Sequence, residues 1–134
     1  MPSSLGVQRD LTMIRVPPYE GSQLASLGPV DPPVNVIPPT IVDDGPGGTI
    51  SNPITGDTLR CSDNGTWDNN PTSFTYQWYL GPVISGMPIP GATNSTLSLI
   101  SDYIGSTASC QVTANNSAGS TPAASTESGI IQSS

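Results

Sequence analysis

The chain contains no histidine and no lysine, and its only cations are Arg9, Arg15 and Arg60. Without histidine, the commonest general acid–base group is missing. The carboxylates Asp57, Asp63, Asp68, Asp102 and Glu127 fall on stretches that read as loops, with no base or nucleophile to pair with. A non-enzymatic role is therefore expected. Three cations against ten carboxylates give a formal charge of −7. Such a chain lacks the positive surface that holds phosphate backbones, which sets nucleic acid aside as a partner. Its acidity reads as solubility and as repulsion between copies.

Long apolar runs are also missing. Nothing approaches the roughly 18 consecutive apolar residues of a membrane span, so no membrane partner is expected. The segment Met1–Val7 has neither the basic start nor the apolar stretch of an export signal, and Met1 reads as a gene start. Charged residues make up 10% of the chain, and the straight-chain helix formers are scarce, which argues against a helical bundle. Two cysteines without histidine cannot supply the four ligands of a zinc site. The oxygen-rich stretch Asp63–Asn70 lacks the ligand order and closing glutamate of an EF-hand, so it reads as a polar loop. No metal and no cofactor are expected. Three Asn-x-Ser/Thr matches, at Asn64, Asn94 and Asn115, read as chance in a chain this rich in those residues.

What the chain has in quantity is proline, and nine of its fifteen prolines lie within the first 46 residues. Proline removes a backbone donor and pushes its predecessor toward extended conformations. Residues 1–40 therefore read as an extended proline-rich arm, and residues 41–134 as the folded domain. The arm carries Leu11, Met13, Ile14, Val16, Tyr19, Leu24 and Leu27, more apolar side chains than a plain linker needs. It reads either as a disordered tail or as an anchoring segment that orders on a partner and buries these residues there.

Beyond the turn cluster Asp43–Gly48, short runs of alternating polarity recur between turn residues, the pattern of an all-β domain. Leu59 and Cys61 share a face, as do Phe74, Tyr76, Trp78 and Leu80. Leu97 and Leu99 form a third such pair, and Ala108, Cys110, Val112 and Ala114 a fourth group. A last run over about residues 120–132 ends in Ile130-Ile131. Trp67 lies outside this alternation, and two readings stay open for it: packing over its own loop, or standing exposed as a binding anchor. Asp102 is expected to cap a turn.

Cys61, Trp78 and Cys110 thus fall on three candidate strands with inward parity. Together with Tyr76-Gln77-Trp78-Tyr79 and the ending Asn116-Ser117-Ala118-Gly119, they resemble the framework of an immunoglobulin-like domain over about residues 36–132. The tyrosine usual in animal members two residues before the second cysteine is Ala108 here. The stretches Gly91–Leu97, Asp102–Gly105 and Val112–Asn115 are similar instead to bacterial and tailed-phage domains of this type. The resemblance implies a single β-sandwich of about seven strands. Cys61 and Cys110, 49 positions apart, would be its framework pair, either bonded or reduced.

It also implies a structural protein of a tailed-phage virion. The expected form is a capsid decoration or cement protein, made in the host cytoplasm and carried on the capsid surface. The arm would bind the major capsid protein and other copies of the chain, stabilising the capsid. The domain would face outward, where it could contact host-surface glycans. Two alternatives are a phage tail or fibre component, and a bacterial surface adhesin domain that binds carbohydrate.

Overall fold

The computed structural model describes residues 30–134, of which 31–134 form an all-β domain. Nine strands follow one another: β1 (Val34–Ile37), β2 (Thr40–Asp43), β3 (Thr58–Asp63), β4 (Thr66–Asp68), β5 (Ser73–Leu80), β6 (Met87–Pro88), β7 (Thr96–Ser98), β8 (Ala108–Asn116) and β9 (Gly119–Ala124). They assemble into three antiparallel sheets, ordered β1-β4, β2-β3-β7 and β6-β5-β8-β9, one sheet being strongly curled. A 3-10 turn, Ser101–Tyr103, precedes β8.

The alternation in the sequence sets which faces meet. On β8 the inward residues Ala108, Cys110, Val112 and Ala114 are all fully buried and small. Their size leaves room for Trp78 on β5, which sits directly opposite Cys110 in the register and is itself fully buried. Its indole N–H donates to the carbonyl of Asn94 at 2.9 Å, so the ring buries its apolar body without stranding a donor. Phe74, Tyr76 and Leu80, at the same parity on β5, pack against this core. From the three-stranded sheet come Ile41, paired with Cys61, and Leu59, paired with Leu97. Side chains of the three- and four-stranded sheets thus share one core, with Ile89, Leu99 and Ile131 filling its ends.

The structure contains strands that alternation did not reveal. β1, β2, β4 and β6 have two to four residues each, too short for a period to register. β1 lies within the stretch read as extended arm, and pairs with β4 across a register shift between Asn35 and Ile37. Prolines at 32, 33, 38 and 39 bracket it, which suits a short strand outside the main sheets. The last run also breaks. β9 stops at Ala124, and the hydroxyls of Ser125 and Ser128 then accept the N–H groups of Cys110 and Ala108. The backbone N–H groups of the same two serines donate to the carbonyls of Cys110 and Ala108 at 2.9 and 2.8 Å, so hydroxyl and backbone together continue the ladder of β8 beyond β9. Ile131 returns to the core, and Gln132 makes a parallel bridge to Ile54.

Candidate binding surface and buried polar groups

The seven apolar arm residues Leu11, Met13, Ile14, Val16, Tyr19, Leu24 and Leu27 lie outside the described residues. What the structure does describe is the chain that follows them. Val34, Val36 and Ile37 of β1 are 52–55% exposed, an apolar row that the core leaves uncovered. The backbone beneath this row is fixed. Asn116 donates its side-chain amide to the carbonyls of Asp31 and Asn69, both at 2.8 Å, and Asn69 donates to the carbonyl of Pro32 at 2.8 Å. The Asn116 side-chain oxygen meanwhile accepts the N–H groups of Ala118 and Gly119. One asparagine therefore closes the β8–β9 turn and clasps the incoming chain to it. The sequence shows this residue only as part of a turn; its long-range donors carry no local signal.

Trp67 lies on β4, partly buried against the core. Its indole N–H donates to the carbonyl of Asn64 at 2.8 Å, and its ring meets Phe74 with centroids 6.3 Å apart, tilted by 54°. Contacts within its own loop and the core take up this side chain. The polar stretch around it is folded on itself. Asp63 accepts the N–H of Gly65, and the side-chain oxygen of Asn64 accepts from the Tyr76 hydroxyl. No group of three or more potential metal ligands occurs among the described residues.

Asp102 lies in the 3-10 turn but caps nothing: the N-cap position is Ile100, and no side-chain capping bond forms. The carboxylate that does organise a loop is Asp57, which is buried. It accepts the N–H of Gly47 at 2.8 Å and of Ile54 at 3.2 Å, holding the long β2–β3 loop against the start of β3. Burial pushes its carboxyl up. The N–H groups of Gly47 and Ile54, the Asp43 side chain and the N–H of Gly48 outweigh that push, and the net direction is down. Asp43 moves the other way, raised by burial and by its contact with Asp57 against the lowering effect of the Gly45 N–H. One oxygen of Asp43 is buried without a partner. Asp44 alongside is held low by Arg60, whose guanidinium donates to both its oxygens at 2.8 and 3.2 Å.

Cys61 and Cys110 are both buried free thiols. Each thiol shifts the other: the neighbouring Cys61, reinforced by burial, pushes Cys110 far above the ordinary thiol range, and Cys110 draws Cys61 down. The framework residues Cys61, Trp78 and Cys110 thus lie together in the core. Comparison of the chain with protein-family models, with curated proteins and with solved structures finds no match.

Proposed function

We propose that the chain is a non-catalytic attachment protein, an immunoglobulin-like β-sandwich tethered by its N-terminal segment to a larger assembly. The assembly we favour is a tailed-phage capsid, on the strength of the sequence resemblance. The observation that carries the attachment reading is the uncovered row Val34, Val36 and Ile37. It continues, on a clasped backbone, the apolar character of the segment before it. A domain serving only as a spacer gains nothing from an apolar row at its root, whereas a partner groove can bury it. The sandwich reading is supported by the two larger sheets sharing one core around Cys61, Trp78 and Cys110. The buried carboxylate Asp57 is spent on loop N–H groups, which supports a structural rather than a catalytic use of the acidic residues.

On a lattice, many weak contacts add to firm attachment, so no deep pocket is required of each copy. The test is co-sedimentation with phage heads assembled without the protein. The full chain pellets with heads, whereas the full chain carrying Val34→Ser and Val36→Ser pellets far less, and so does a chain beginning at Val30, which keeps the Asp31 and Pro32 contacts. Head binding by the truncated chain would remove the segment from the anchoring role. Binding to tails and not heads would move the protein to the tail.

A further inference from the structure

The eight carboxylates of the described domain are Asp31, Asp43, Asp44, Asp57, Asp63, Asp68, Asp102 and Glu127. None lies on β5, β6, β8 or β9, and neither does Arg60. The four-stranded sheet is therefore free of charge in a domain that otherwise carries a large negative excess. Its inward parity is taken by the core, so the register places two uncharged rows on the outer face. One is Gln77–Gln111–Ala124, and the other Thr75–Thr113–Pro122. Beside them a shallow, largely apolar groove of about 260 Å³ is lined by Val83, Ile84, Gln111, Pro122, Ala123 and Ala124. Ile84 on its rim is 96% exposed and Met87 on the edge strand 74%.

We infer that this uncharged face is where a second copy of the chain docks. Arg60, the one cation among the described residues, is already committed to Asp44, so no free cation of the domain can meet a carboxylate on a neighbour. Two copies approaching by any acidic side meet like charge, which costs energy that no free cation among the described residues repays. Through the four-stranded sheet they meet amides, hydroxyls and apolar surface instead. A two-fold arrangement lets Ile84 of each copy enter the groove of the other. Four strands at about 4.8 Å spacing and some six residues long give a contact of roughly 400 Å² per copy. That is about half of the ~800 Å² per partner in a standard stable interface. The association is accordingly weak in solution and becomes effective when copies are held side by side. It does not depend on what the N-terminal segment binds.

Analytical ultracentrifugation of the full chain over a wide concentration range tests this, at low and at high salt. The expected result is reversible dimerisation that strengthens several-fold as salt screens the net negative charge, the reverse of an interface built on ion pairs. Ile84→Ser, at a side chain that supports no packing of its own, weakens the dimer. Gln111→Glu abolishes it, whereas Thr96→Glu on the exposed side of β7 leaves most of it. Mixing Gln111→Glu with Gln111→Arg restores association between the two variants. A chain that stays monomeric at every salt level overturns the inference and leaves the groove to some other partner. So does a dimer indifferent to both Ile84→Ser and Gln111→Glu, which assigns self-association to another surface.

Discussion

Replacing Asn116 tests whether the root of the N-terminal segment is clasped by a side chain or held by its own strand. The amide makes two donor bonds, to Asp31 and Asn69, and accepts two backbone N–H groups of its turn. Each such bond contributes about 0.5–1.5 kcal/mol net, and the lower end applies where water can replace it. Asn116 is only partly buried, so Asn116→Ala should cost about 2 kcal/mol in urea unfolding, or on the order of 10 °C in Tm. Asn116→Asp separates the two functions of the residue. A carboxylate still accepts from Ala118 and Gly119 but has nothing to donate, and it faces two carbonyl oxygens instead. The turn should survive while the clasp opens. Hydrogen exchange then rises in β1 and β4 and stays slow in β5 and β8. Unchanged protection of β1 in the aspartate variant would refute the clasp. A loss of more than about 4 kcal/mol in the alanine variant would refute the bookkeeping, because only core positions cost that much.

Oxidation of Cys61 and Cys110 to a disulfide closes a loop of 49 residues. The chain-entropy relation gives about 4 kcal/mol of stabilisation, less any strain, read as the difference between urea midpoints with and without reductant. Gly65→Ala should destabilise by 2 kcal/mol or more on the order expected for a positive φ plus a clash. Its φ is +89°, and a Cβ there collides with the carbonyl oxygen of Ile37, so the β1–β4 pair should lose protection first. Asp57, lowered in the folded state, adds stability above the ordinary carboxylate pKa of about 3.9, and that stability is lost as pH falls through its folded value. Asp43, raised, acts oppositely: its contribution is present at low pH and lost as pH rises through its folded value. Asp57→Asn should therefore flatten the acid side of a Tm-against-pH curve; an unchanged acid limb would contradict this assignment.

The long strands were legible because their period is long enough to read. Phe74, Tyr76, Trp78 and Leu80 declare an inward face over eight residues, and Ala108 to Ala114 declare another. Of the short strands only β7 showed, through Leu97 and Leu99; β1, β2, β4 and β6 did not, since two to four residues hold no period and their pairing is decided by partners far along the chain. β1 is the clearest case. Its Val34 and Val36 are apolar yet exposed, so neither alternation nor burial marks it, and its strand character comes from β4, some thirty residues later. Asp57 was visible as an acidic loop residue, but its burial depends on Gly47 and Ile54 folding over it. Glycine at position 48 matters for the same reason: a Cβ there would strike the Asp57 carboxylate. Trp67 shows how an off-pattern aromatic resolves. It fell outside the alternation because β4 belongs to the small sheet, not because the side chain was free. The uncharged outer face could have been found by counting charges strand by strand, although its groove could not.

The clasp at Asn116 and the C-terminal latch at Gln132 lie at opposite poles of β8. Asp31 is bonded beside residue 116, while Ile131 exchanges backbone hydrogen bonds with Gly105 and Ser106 just before residue 108. Roughly 30 Å of strand separates them at about 3.3 Å per residue. A pull applied between residue 31 and residue 132 therefore runs nearly along the strands. It loads their hydrogen bonds in shear, many at once, and does not peel them open one by one. The two ends of the domain therefore leave it at opposite poles, and tension between them would be shared along the length of β8.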